Sequence, residues 1–230
     1  MKRRPDYGRL FLFLHSRFAM KKPLVLGVLF ILPLVVYLFF ASGVTNFGRL
    51  PVLNDTINWS TEETFPPLKG KISLLIFLGK AADENKGYLF NFNQKIYKRF
   101  SEFTDFQTIL VSSDGQKETV EAILSELSQI SDTSRYINYT TTDTQIEALF
   151  NAIGTDLRID DNVSSPYVFI VDKNAALRGR LKDEDEGIKY GYDMRSVAEL
   201  NNKMEDDMKV ILAEYRLALK KNNAYSTEAK

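Results

Sequence analysis

The 230-residue chain contains no cysteine and one histidine, His15. The missing thiol excludes disulfides, thiolate metal sites, thiol nucleophiles and dithiol redox chemistry. It leaves the compartment open, because oxidising and reducing locations both tolerate it. Charge of one sign is also lacking overall: 30 lysines and arginines balance 30 aspartates and glutamates, so no global field argues for nucleic acid. Glycine-rich phosphate loops, the GxxxxGK[ST] motif and zinc-ligand spacings do not occur.

A long hydrophobic run is present. "PLVLGVLFILPLVVYLFFASG", from Pro23 to Gly43, carries no charge and has about the 20 residues needed to cross the hydrocarbon core. Pro33 sits in its middle, where membrane helices tolerate a kink. A cleaved signal peptide ending at "ASG" (41–43) is the rival, but its apolar region would be shorter. The run therefore reads as an uncleaved transmembrane anchor. Lys2, Arg3, Arg4, Arg9, Arg17, Lys21 and Lys22 precede it, and only Arg49 follows shortly after. The positive-inside bias places residues 1–22 in the cytoplasm and the rest across the membrane. The expected location is a cell inner membrane, crossed once, with the carboxyl-terminal domain periplasmic. "LFLFL" at 10–14 is too short to span. His15 falls on the cytoplasmic side, so Ser164 and Ser165 have no histidine for a triad.

Residues 44–70 hold Pro51, Pro66, Pro67, Gly48 and Gly70 without periodicity. They read as a linker, with Trp59 and Phe65 packing on a domain edge. The folded domain is expected over 71–220, with a flexible tail over 221–230. "ISLLIFL" (72–78) suits a strand covered on both faces. Leu89, Phe92, Ile96, Phe100 and Phe103 trace one helical face, and so do Val120, Ile123, Leu124, Leu127 and Ile130. "FQTILVSS" (106–113) lies between them as a second strand. "YINYT" (136–140) follows as a short strand. "DTQIEALFNAI" (143–153) is a helix with Asp143 as cap and Gly154 as stop. "PYVFIVD" (166–172) and "ALRGRLK" (176–182) form a hairpin, and Val197 to Leu219 trace a long last helix. The order βαβ, βα, ββα predicts an α/β, thioredoxin-like central sheet flanked by helices. Pro166, directly before the penultimate strand, is a candidate cis-proline, the alternative being an ordinary trans proline that opens a strand.

With its single anchor, the strand "LLIFL", the hairpin "YVFIVDKNAALRGR" and the ending "MEDDMKVILAEY", the chain resembles the Sco/SenC family of membrane-anchored, thioredoxin-like copper proteins. The resemblance covers about residues 47–216. It implies a copper site of two cysteines after the first core strand and one distant histidine. Lys80 and Glu84 fall at the cysteine positions here, and Ser164 at the histidine position. None can replace the soft ligands that select copper(I). The resemblance thus implies a degenerate site: no catalytic centre, no cofactor, no metal and no enzyme activity of the family type. It implies a binding or scaffold module with a protein partner, in respiratory oxidase assembly or copper homeostasis.

The alternative is a metal-binding protein or enzyme that uses loop carboxylates: Asp83 and Glu84, or Asp183, Glu184, Asp185 and Glu186 in "KDEDEG". Charged loops after hairpins are usually solvated, and a solvated loop is the plainer reading. Met204 and Met208 fit the apolar stripe of the last helix, which argues for packing rather than thioether ligation.

Overall fold

Eight consecutive residues, Ile72–Gly79, are all buried and form a central strand. The computed structural model describes residues 21–41, 48–55, 57 and 65–228, with side chains at 25–38, 48–55, 57 and 65–218. His15, "LFLFL", Trp59 and the basic residues 2–17 lie outside the described residues. The chain divides into two units, residues 1–46 and 47–230. The first contains helix α1, Lys21–Ala41, where the span 23–43 was expected, with Pro33 inside it. Its side chains from Val25 to Leu38 are largely exposed and apolar. Among the described residues, no helix is long and apolar enough to cross a membrane.

The second unit is built on that central strand, here β2. The other strands are β1 (Val52–Asn54), β3 (Phe106–Ser113), β4 (Tyr136–Thr141), β5 (Tyr167–Val171), β6 (Leu177–Arg178), β7 (Arg180–Asp183), β8 (Gly187–Lys189) and β9 (Tyr192–Asp193). The main sheet runs β1-β6-β5-β2-β3-β4, and β9 pairs with β5. β2, β3 and β4 are parallel, and β5 lies antiparallel on the other side of β2. Strands β7 and β8 make a separate two-stranded ribbon.

Helix α2 runs through Lys86–Phe92, a π segment at Asn93–Tyr97 and Lys98–Phe100. Helix α3 is Lys117–Ser128 and α4 is Asp143–Ile153. Helix α5 starts at Val197–Glu199, passes a π segment at Leu200–Met204 and continues as Glu205–Glu228.

Alternation along β2 sends its side chains to two cores. Leu74, Ile76 and Leu78 meet α2, α3 and α5 through residues such as Phe92, Ile123, Met204 and Met208. Leu75 and Phe77 meet α4 through Ile146, Phe150 and Ile153. Helices on both faces explain why β2 reads as one unbroken apolar run. The result is the mixed α/β, thioredoxin-like arrangement, a central sheet with flanking helices. Met204 and Met208 are fully buried core residues.

Several expectations need correction. The linker 44–70 contributes β1 to the sheet edge beside β6 and buries Leu50, so the folded unit begins well before Lys71. Phe65 does pack on the unit, edge-on to Tyr139 with ring centroids 4.8 Å apart. The cap of α4 is Thr142 rather than Asp143: its hydroxyl accepts from the Gln145 amide and Gln145 answers it in a capping box. Gly154 ends α4 in the left-handed conformation, as expected. The strand expected over 176–182 breaks at Gly179, where a Cβ would lie 2.2 Å from the Lys189 carbonyl oxygen. The tail is helical as far as Glu228, because neither proline nor glycine follows Leu219 to stop it.

Candidate functional site

The carboxyl ends of parallel strands are where α/β sheets place their ligands. The loop leaving β2 begins at Gly79, whose φ is +52°. A Cβ there would lie 2.1 Å from the Asn162 carbonyl oxygen and 2.5 Å from that of Val163. Only glycine allows the two backbones to approach this closely. The approach is stitched on both sides. The Lys80 amide donates to the Asn162 carbonyl at 2.8 Å, and the Ser165 amide donates to the Phe77 carbonyl at 2.9 Å. The site therefore consists of two touching loops, 79–85 and 160–166.

The first loop carries Lys80 and Glu84, both exposed, around a buried floor of Ala81 and Ala82. The Lys80 ammonium pairs with the carboxylate of Asp143 at the start of α4. That lysine holds the Asp143 carboxyl below its ordinary value. Asp143 also sits where the α4 dipole favours an anion. Among the described residues, the Lys80 ammonium pairs with Asp143 and forms no ion pair with Glu84.

The second loop is organised by Asp160, which sequence reasoning missed. One Asp160 carboxylate oxygen accepts from the amides of Asn162 at 3.0 Å and Ser164 at 2.9 Å, and the other accepts from the Ser164 hydroxyl at 2.9 Å. The signal was available in "DDNVSS", since aspartate two residues before asparagine favours such a turn. Ser164 is buried and spent on this turn. Between them, Val163 takes φ +49°, a conformation that a β-branched residue adopts only when its surroundings force it. The Asp160 bonds and the contact with Gly79 supply that force.

Pro166 follows with a trans peptide bond, contrary to the cis candidate. Its carbonyl accepts from the Met194 amide at 2.9 Å. With the Ser165–Phe77 bond on the other side, the segment is already extended as it enters β5 and needs no turn.

The acidic loop is equally occupied. Asp183 and Asp185 both grip the Lys203 ammonium at 2.6 Å, and Glu186 meets the fully buried Lys189 at 2.8 Å. Burial pushes the Asp183 carboxyl up, but the hydrogen bond from Lys203 and its neighbours outweigh this, so its pKa is lowered. Among the described residues, no group of three or more acidic or histidine side chains is arranged to hold a metal ion.

A second charged cluster lies at the other side of the sheet and was not foreseen. Arg178 is buried between Asp172 at 2.8 Å and Glu214 at 2.7 Å. Its Nε donates to the Leu50 carbonyl at 2.8 Å, and the Leu50 amide donates to Glu214 at 2.8 Å. Asp172 also accepts the amides of Asn174 and Ala176, which shapes the β5–β6 turn. In that turn Ala175 takes φ +63°.

No family model matches the chain, and no curated protein matches it. Solved structures do resemble it. A putative electron transfer protein from Aquifex aeolicus VF5 is 18% identical, with a TM-score of 0.41 over 64% of this chain and 83% of that one. A thiol:disulfide interchange protein of the thioredoxin family from Chlorobium tepidum TLS is 19% identical, with a TM-score of 0.39 over 60% and 81%. The soluble domain of Sco1 from Bacillus subtilis is 15% identical, with a TM-score of 0.37 over 60% and 78%. At these identities and scores the likeness assigns neither a family nor an activity to the chain.

Proposed function

We propose that the protein is a membrane-anchored, redox-inactive binding or scaffold module of Sco/SenC-like descent. Its context is respiratory oxidase assembly or copper homeostasis, with the folded unit facing the periplasm. One observation carries this reading. Of the two positions where the resembled family has its thiols, Lys80 is ion-paired to Asp143 and Glu84 is an exposed carboxylate, and Ser164 is committed to the Asp160 turn. Hard oxygen and ammonium groups already bonded to one another offer copper(I) nothing it prefers. The anchor rests on the uncharged run from Pro23 to Gly43 read in the sequence.

Copper(I) competition against a chromophoric chelator tests the inactive site. The full chain is expected to take up no stoichiometric copper; retention at sub-micromolar affinity would overturn the reading. Extraction of membranes with alkaline carbonate tests the anchor, which predicts retention in the pellet. Photo-crosslinking from position 84 in native membranes tests the scaffold role. It should trap an oxidase subunit or a copper-handling protein, and recovery of neither would remove the proposed context.

A further inference from the structure

A cleft of about 260 Å³ opens at the end of the sheet away from the two loops, where β2 begins and α5 passes. Ile72 and Lys80 are eight residues apart, so along the strand the cleft lies about 25 Å from the ion-paired loop. Ile72, Phe103, Leu212 and the Tyr215 ring give it an apolar wall. Lys173 and Arg216 line it as cations. The Lys173 ammonium is held 5.1 Å above the centroid of the Tyr215 ring, while the Tyr215 hydroxyl accepts the Lys173 amide at 3.1 Å. Lysine and tyrosine are thus fixed by each other rather than by chance on a mobile surface.

Charge at the cleft does not balance. Asp105, the one carboxylate among the lining residues, is shared by Lys173 at 2.6 Å and Lys71 at 3.9 Å. Glu214, next to Tyr215 in sequence, is taken by Arg178 at 2.7 Å, and among the described residues Arg216 pairs with neither acid. Two cations, Lys173 and Arg216, therefore line the cleft with one anion, Asp105, which Lys71 also approaches, beside an apolar wall. Pockets for drug-sized ligands run to roughly 300–1,000 Å³, so this one suits something smaller.

We propose that this cleft binds a small amphipathic anion: a carboxylate carried on a short apolar body. The apolar part lies against Ile72, Phe103 and Leu212. The carboxylate accepts from the Arg216 guanidinium, whose planar fork can engage both oxygens, and Lys173 adds the second charge. The site is independent of the ion-paired loop and of any copper role.

Octanoate is the probe, titrated into the full chain in zwitterionic nanodiscs with empty discs subtracted, and followed by calorimetry. Octanamide, which has the same tail and no charge, is the comparison. Saturable one-to-one binding of octanoate at least tenfold tighter than octanamide is expected. Arg216→Gln should lose at least tenfold for octanoate and little for octanamide, whereas Leu212→Asp should weaken both. Lys117→Gln, on the exposed side of α3, should change neither. Equal affinity for the two probes, an unchanged Arg216→Gln variant that is still folded by circular dichroism, or no saturation would each overturn the proposal. None of these outcomes touches the copper or partner tests, so the two readings fail separately.

Discussion

Two ion-pair sites sit on opposite sides of the same sheet and obey different rules. Lys80–Asp143 lies at the surface, with side chains 49% and 36% exposed. Arg178 lies between Asp172 and Glu214, with side chains 7%, 1% and 16% exposed. Water can replace either partner of the first pair at little cost, and salt screens it. Water reaches the second cluster poorly, so each charge there depends on the others. The first pair fills a site; the second cluster holds the fold. A charged group in a loop is therefore weak evidence of a structural role, and a charged group on a short inner strand is strong evidence of one.

The largest expected effect comes from breaking the buried cluster. Arg178→Met should cost about 3–5 kcal/mol, because it leaves two buried carboxylates uncompensated; chemical denaturation of the full chain checks it. A loss below about 1 kcal/mol would mean that the cluster behaves like a surface pair and would erase the contrast. Next comes the backbone contact that brings the two loops together. Gly79→Ala forces a Cβ against the Asn162 carbonyl at a positive φ, and strain of this kind costs on the order of 1–3 kcal/mol. The melting temperature should fall, and the amide of Lys80 should lose protection from hydrogen exchange.

A smaller effect has the opposite sign. Ala175→Gly relieves the left-handed backbone in the turn beside Asp172 and should stabilise the protein by about 1 kcal/mol, read from the shift in denaturation midpoint. The smallest effect belongs to the exposed pair. Lys80→Ala should lower the melting temperature at neutral pH only slightly, less than any of the changes above. It should raise the Asp143 carboxyl towards its ordinary value, which a pH titration followed by carboxyl NMR would show. Because the folded-state value is lowered, the pair's stabilisation is present above the unfolded value of about 3.9 and is lost as pH falls through the lower folded one. The variant should therefore lose less stability than the parent on acidification. A marked drop in melting temperature for Lys80→Ala would show that the exposed pair is structural after all.

The strands and helices that carry strong periodicity were legible in the sequence. Phe106–Ser113 and Asp143–Ile153 match their expected spans residue for residue, because continuous burial and a 3.6-residue stripe leave few alternatives. Strands β1, β8 and β9 have three, three and two residues, too few for any period to register. They exist because tertiary contacts place them beside β6, β7 and β5. The candidate site was half legible. Lys80, Glu84 and Ser164 were read as offering no soft ligand; the partners of Lys80 and Ser164, Asp143 and Asp160, are long-range or turn-specific, and spacing along the chain does not reveal them. Arg178 illustrates the same limit. In "LRGR" it reads as an ordinary charge on a hairpin, and only the arrival of Leu50, Asp172 and Glu214 makes it central.

The bonds at Leu50 also decide how the folded unit would carry mechanical load. Tension arriving from residues before position 48 reaches Leu50 first, where the carbonyl is held by Arg178 and the amide by Glu214. From there it passes into α5 and the β1–β6 edge of the sheet. The loop at 79–85 leaves β2, on the far side of β5 from that edge, and the loop at 160–166 leads into β5 itself. A pull from the amino-terminal side would thus be absorbed at one seam while the two touching loops keep their shape.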